Sequence, residues 1–367
     1  MLEKGSISKQ QMMFLVTSSL LGTSILFLPQ VLALHAKQDC WLTAILGGLA
    51  GLLLFLLWVA LATRFPRRNL VEYARKTLGP WLGTLVVIPY AGYLLWLLMT
   101  MLRQVSSFFA LVYPETPLVV IAFLIILVAM YIVHHGLEVL ARVNDLLSPI
   151  LFLGILVMIL LALPKFTIQA FQPVLADGLG PVLSPLKLHV DFPYGNAAAF
   201  LMIFPYINRP QELRSAVVKG SLFGSALIVI LLAFSLFTLG PESMIRTVYP
   251  TYAAARTIVI AGILARIDGL VIILWILSNV IRIAIFFYAA VLCLSELFGL
   301  SSYQYLIIPL GHLITIGSII VYTSAVDGDA FNAKWFPWAT IPVILVVPLL
   351  LLIISSIRSK RQQRART

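Results

Sequence analysis

Long apolar runs alternate with short polar breaks along the whole chain. Ten runs are long enough to be read as membrane-crossing helices: residues 10–35, 41–63, 81–112, 117–136, 144–163, 192–208, 216–239, 265–297, 303–323 and 336–356. A helical crossing takes about 20 residues. The breaks between runs include Arg67-Arg68-Asn69, Tyr113-Pro114-Glu115-Thr116-Pro117, Pro164, Asn208-Arg209-Pro210, Gly240-Pro241 and Asp327-Gly328-Asp329. Proline, glycine and small polar residues at these points stop helices. Runs 3 and 8 exceed the length of one crossing, which predicts tilt or extension beyond the lipid.

Two runs are themselves interrupted. Gly22-Thr23-Ser24 sits at the centre of run 1, with Pro29 further on, and Pro193-Tyr194-Gly195-Asn196 interrupts run 6. Backbone that leaves the helix at bilayer depth is tolerated where protein or a polar cavity takes up its hydrogen-bonding groups. Paired interruptions at matching places in two halves point to a binding site of the transporter type. At the first break, free N–H groups at the start of the second half-helix, with the Thr23 and Ser24 hydroxyls, suit a carboxylate. At the second, freed carbonyls and the Asn196 amide suit an ammonium group. Together they form a candidate clamp for a zwitterion, including Gly22, Thr23, Ser24, Ile25, Phe192, Tyr194, Gly195 and Asn196. The alternative is plain helix packing, for which Gly, Ser and Thr are also used.

Charge placement orients the runs. With the N-terminus in the cytoplasm, 16 Lys and Arg residues fall on the cytoplasmic side and 7 on the outer side, while Arg103 and Arg282 lie inside runs. Positive residues concentrate on the cytoplasmic side of membrane proteins, so both termini are expected there. Ten crossings divide into five and five, and five is odd, so the second half enters from the opposite side. An inverted repeat follows if the halves share a fold. The expected units are a first repeat over 1–163, an external linker over 164–191 with room for a short surface helix, a second repeat over 192–356 and a basic cytoplasmic tail over 357–367, all in one integral membrane domain.

Composition excludes the main alternatives. Of the 367 residues, 61% are hydrophobic and 11% charged, against about a quarter charged in soluble domains. Lipid must therefore be the solvent. The net charge of +11 does not indicate nucleic-acid binding, because the basic residues cluster in short loops and in the tail after the last run, where they set topology. Cys40 and Cys293 fall near opposite faces, and no Cys/His cluster suits a metal. His134-His135 is an adjacent pair whose rings point about 100° apart on a helix, which argues for an interfacial place. The start of the chain has too long an apolar region for a signal peptide, and no small-residue cleavage site follows. No phosphate loop, buried carboxylate pair or nucleophile motif is visible, so no catalysis, cofactor or metal is expected.

Buried polar residues in the other runs are further candidates. Arg282 lies near the middle of run 8, where a charge is costly and faces the bundle interior. Ser278 and Asn279 lie one turn earlier, and Asp145, beside Asn144, is a candidate partner at the inner end of run 5. Tyr93 and Trp96 in run 3 could wall a pocket, and Glu296 could pair with a basic loop as a gate. Arg103 is close enough to the outer face to snorkel. Trp41, Trp81, Trp335 and Trp338 fall at expected interfaces and read as belt residues.

The order of these motifs carries a resemblance. Leu21 to Pro29, Phe192-Pro193-Tyr194-Gly195-Asn196, Phe204-Pro205-Tyr206-Ile207-Asn208-Arg209-Pro210, and Arg266-Ile267-Asp268-Gly269 leading into Trp275 and Arg282 resemble the B-subunit family of bacterial spore germinant receptors (GerAB-like). That family is similar to amino acid–polyamine–organocation transporters. The resemblance covers nearly the whole chain and implies an all-α membrane protein of ten transmembrane helices in a LeuT-like 5+5 inverted repeat, with helices 1 and 6 discontinuous. It implies recognition of a small germinant, often an amino acid, beside A-type and C-type partner subunits in the spore inner membrane. In that fold helices 1, 5 and 8 enclose a coupling-ion site, where Arg282 would stand in for the ion or lock the helices, with Asp145 as its candidate partner. The alternative function is a proton-coupled or facilitative transporter of amino acids or amines.

Overall fold

The computed structural model describes residues 3, 5–22, 24–258, 268–322, 328 and 336–364. Thr23, Arg266, Ile267, Trp335 and the end of the basic tail lie outside the described residues. The described chain is helical apart from its turns and one isolated bridge.

The helices follow the apolar runs. Span 1 is two helices, Lys9–Leu21 and Ser24–Ala36; span 2 is Cys40–Arg64, span 3 Pro80–Val112, span 4 Leu118–His134 and span 5 Leu137–Ala162. Span 6 is a chain of short pieces from Leu186 to Tyr206. Span 7 is Leu213–Leu239, span 8 Asp268–Leu297 and span 9 Ile307–Ile320. Span 10 runs from Phe336 through a wide turn at Pro342–Val346 into the helix Val347–Arg364. Six helical stretches of the described residues are long and apolar enough to cross a membrane by length and composition. The remainder are short because they are broken, as in spans 1 and 6, or run fewer residues, as in spans 4 and 10.

The packing has the symmetry of an inverted repeat. Span 1 packs on span 7, and span 6 on span 2; span 3 packs on span 9, and span 8 on span 4. Adding or subtracting five span numbers turns the 1–7 pair into the 6–2 pair and the 3–9 pair into the 8–4 pair. Span 7 admits span 1 closely because it carries Gly220 and Gly224 on the facing side. A Cβ at Gly220 would stand 2.5 Å from the Met13 carbonyl oxygen. Span 8 is the central helix. From Ile281 to Cys293 every residue is buried, which accounts for a run that, apart from Arg282, is apolar on all faces.

Three features outside the spans bear on the site. The amphipathic helix Leu70–Leu78 buries Leu70, Val71, Tyr73, Ala74 and Thr77 beside spans 3 and 8. Its Asn69 cap donates to Glu296 Oε1 at 2.5 Å, and Arg75 donates to the Glu296 and Leu297 carbonyls, closing the end of span 8. At the same end of the bundle, the N-terminal segment crosses the spans. Ile7 N–H donates to the Tyr206 carbonyl and Asn208 N–H to the Ile7 carbonyl, both at 2.8 Å. Glu3 accepts from the Tyr288 and Tyr303 hydroxyls at 3.1 and 3.2 Å. At the opposite end, the linker folds back over the first two spans. Lys37 pairs with Asp177 at 2.9 Å, Asp39 accepts from Leu175 N–H, and Thr43 donates to the Val182 carbonyl. Span 6 begins at Leu186, six residues before the expected start, and the helices Pro241–Arg246 and Pro250–Arg256 fill the connection between spans 7 and 8.

Candidate functional site

Both expected interruptions are present in the backbone. The first helix of span 1 ends at Leu21, Gly22 takes φ +20° and ψ −120°, and a new helix starts at Ser24. A positive φ is accessible to glycine because it has no Cβ. The Ile25 N–H reaches the Gly22 carbonyl at 3.4 Å. Ser24 is buried and its hydroxyl has no hydrogen-bond partner. In span 6 a wide turn over Val190–Tyr194 passes into a tight one over Gly195–Ala199, and Phe192 leaves helical geometry at φ −122°, ψ 112°. Proline at 193 removes a donor at that point.

Spans 3 and 8 brace these breaks. Tyr93 donates to Asn196 Oδ1 at 3.3 Å, and Tyr90 donates at 2.9 Å to the Ala198 carbonyl. Such bonds satisfy groups that an irregular segment frees. Arg282, with 0% of its surface exposed, lies against both breaks. A Cβ on Gly22 would collide with Arg282 Cδ and stand 3.0 Å from its Nη1. The guanidinium carbon is 5.5 Å from the Phe192 ring centre and 5.7 Å from that of Phe286, within cation–π range.

A cavity of about 220 Å³ leads to this region. Its walls are Phe27, Gln30 and Val31 from span 1, Leu97, Thr100, Met101 and Gln104 from span 3, and Leu188, Asp191, Phe192 and Asn196 from span 6. The rim, Leu34 and His35, is exposed at the end of the bundle opposite the N-terminal segment. Most of the lining is apolar, with a few polar groups converging on it, as small-molecule sites are built. Asp191 is 3% exposed; its Oδ1 accepts from Thr340 Oγ1 of span 10 at 2.6 Å, and its Oδ2 has no hydrogen-bond partner.

The expected residues divide between several places. Phe192 and Asn196 line the cavity, with Tyr93 behind Asn196. Gly22 adjoins Arg282 just beyond Phe192. The Ile25 carbonyl accepts from Thr251 at 2.6 Å. Tyr194 points away, between spans 2 and 7. Its hydroxyl meets Ser225 at 2.6 Å, and its ring occupies the place of a side chain at Gly51. Gly195 faces span 10, where a Cβ would stand 2.7 Å from Ile344 Cδ1 and 3.0 Å from Asp191 Oδ1. Trp96 meets the edge of Tyr322 at 5.9 Å, beyond the described end of span 9. Asn279 turns back to donate to the Trp275 carbonyl at 2.8 Å.

The contact of spans 1, 5 and 8 differs from expectation. Ser18 and Ser148 donate to Asn144 Oδ1 at 2.7 and 3.3 Å, and Ser278 lines a small void with these three. Arg282 stands one turn further along, where spans 1, 6 and 8 meet. Asp145 is only half-buried. It makes no ion pair with Arg282. The expected pairing is corrected because Asn144, not Asp145, is the buried residue of the two.

Five polar cavity groups lie outside the sequence reading of the site: Thr100, Gln104, Gln30, His35 and Asp191. A signal for the first two exists in the chain, since Thr100 and Gln104 are four residues apart in an apolar run and share a helix face. An expected start of span 6 at residue 192 leaves Asp191 in the linker, whereas the span begins at Leu186.

Residues 6–326 match the family model described as spore germination protein. Spore germination protein KB of Bacillus subtilis is 27% identical, over 100% of this chain and 98% of the relative. Spore germination protein YndE of the same organism is 25% identical, over 80% and 81%. Among solved structures, MhsT in complex with L-phenylalanine superposes with a TM-score of 0.66 at 15% identity, covering 96% of this chain and 89% of that one. The nucleobase-cation-symport-1 family transporter Mhp1, closed around bromovinylhydantoin, gives 0.62 at 14% identity, over 94% and 78%. The fold is therefore the LeuT-type transporter fold.

Proposed function

The chain belongs to the spore germination protein family, and on that premise we propose that it is the B subunit of a germinant receptor. It binds a small germinant, an apolar α-amino acid, between spans 1, 3, 6 and 8. Occupancy then biases A-type and C-type partner subunits in the spore inner membrane, with both termini of this chain in the cytoplasm. The protein is a binding component and performs no catalysis.

The observation that carries this reading is the cavity ending at the interrupted sixth span in a chain of this family. Phe27, Val31, Leu97 and Met101 suit an apolar side chain. The first break offers N–H groups and the Ser24 hydroxyl to a carboxylate. Arg282 packs span 8 against both breaks and holds the helices without an exchangeable ion. The solved transporter that binds an amino acid on the same fold is in keeping with this ligand class.

A second reading, a proton-coupled or facilitative transporter of amino acids or amines, is favoured by the transporter fold itself. The test of receptor function uses spores whose sole B-type subunit is this chain. Asn196→Ala should raise several-fold the amino-acid concentration needed for germination, with the protein still present in the spore membrane. An unchanged dose response contradicts the proposed site.

A further inference from the structure

We propose that Asp191 is the group that recognises the ammonium of the ligand, so that the site selects amines and rejects otherwise identical molecules without one. The inference deepens the amino-acid reading above and rests on its choice of cavity.

Asp191 is a buried carboxylate in the wall of that cavity, next to Phe192. Its two oxygens are treated differently. Thr340 holds Oδ1 at 2.6 Å, while Oδ2 has no hydrogen-bond partner. Buried polar atoms are almost always partnered, and an exception calls for an explanation. Among the described residues no cation lies within ion-pair distance of Asp191. Lys187, one turn earlier, instead lays its ammonium 3.8 Å from the Trp338 ring centre. Charged residues at membrane depth are expensive and face partners or pathways. A ligand ammonium at Oδ2 supplies the missing partner and a charge-assisted bond.

The surroundings fix the carboxylate for this role. Any side chain at position 195 would stand 3.0 Å from Asp191 Oδ1, so glycine leaves that oxygen to Thr340. Thr340 is a positioning residue: it sets the carboxylate rotamer from span 10 and does not line the cavity. Gln30, Thr100, Gln104 and Asn196 are the other polar lining groups near the rim and on spans 3 and 6, and all are neutral. The only formal charge on the described wall, His35 taken as neutral, is negative.

The test uses the full chain in lipid nanodiscs and reads ligand-induced thermal stabilisation. The probes are the apolar L-amino acids, their decarboxylated amines and their des-amino carboxylic acids. Amines and amino acids should stabilise the wild type, and the des-amino acids should not. Asp191→Asn should weaken binding roughly tenfold to a hundredfold, as expected for a hydrogen bond to a charged group. Thr340→Val should weaken it less, by a few-fold, and leave the preference for amines in place. The unliganded melting temperature of Asp191→Asn reports its folding, and Thr340→Val offers an independent variant. Equal binding of a des-amino acid, or wild-type affinity in folded Asp191→Asn, overturns the inference while the amino-acid reading stands. Stabilisation by amines but by no amino acid overturns the amino-acid reading while Asp191 keeps its role. Failure of every probe contradicts both.

Discussion

Gly22 and Arg282 share one space: a side chain on the glycine would occupy the position of the arginine's Cδ. The break in the first span and the buried cation of the eighth are therefore one structural unit. Gly22→Val should abolish the response to ligand, since the new side chain must displace Arg282 and the backbone at φ +20° is poorly accessible to a β-branched residue. The protein should still reach the membrane, because span 1 keeps its packing on span 7. Immunoblotting of membrane fractions beside a germination assay checks both parts. A Gly22→Val chain that responds normally rules out the unit as part of the site.

Arg282 faces two aromatic rings as well as the break, so its shape matters along with its charge. Arg282→Lys keeps the charge but replaces the planar group that lies over Phe192 and Phe286. The change should lower the melting temperature and weaken ligand binding by several-fold. Replacing sodium by a large organic cation should alter binding by less than about twofold, since no exchangeable ion is assigned a part. Strong sodium dependence in an equilibrium binding assay would show that an ion site operates beside the arginine.

The two breaks were legible because glycine and proline interrupt runs that are otherwise apolar. Local sequence could not show that residue 22 meets residue 282, a contact across most of the chain. Nor could it show which way each aromatic turns. Tyr194 lies in the broken segment, yet three small residues of spans 2 and 7, Gly48, Gly51 and Ser225, draw it away from the cavity. The helix Leu70–Leu78 forms no long apolar run, being a nine-residue amphipathic helix. Its buried positions nonetheless follow helical spacing. Asp191 precedes the first apolar residue of the Phe192 run, so hydrophobicity alone leaves it in the linker although the helical turns begin at Leu186.

Tyr93 and Asn196 join spans 3 and 6 by one hydrogen bond at 3.3 Å. Tyr93→Phe removes the hydroxyl and keeps the ring. The loss should be about 1 kcal/mol, read as a several-fold weaker ligand with the fold unchanged. Isothermal titration on the purified chain measures it. An affinity equal to wild type would show that Asn196 needs no support from span 3.

Glu3 ties the N-terminal segment to Tyr288 of span 8 and Tyr303 before span 9, while Ile7 ties it to the end of span 6. This end of the bundle is thereby closed when the cavity is open at the other. Glu3→Gln removes the charge from the bonds accepted from both tyrosines, and charged acceptors make the stronger bonds. Hydrogen exchange at Ile7 and Asn208 should rise, with exchange in the middle of span 8 unchanged. If exchange at Ile7 and Asn208 stays at the wild-type rate, Glu3 does not hold the segment.

The central claim is that a transporter fold here serves as a receptor. Purified chain reconstituted in vesicles, with amino-acid binding and uptake measured on the same preparation, tests it most directly. The account requires saturable binding that Gly22→Val abolishes, with no accumulation of the ligand under an imposed proton or sodium gradient. Gradient-driven accumulation of the bound amino acid would contradict it.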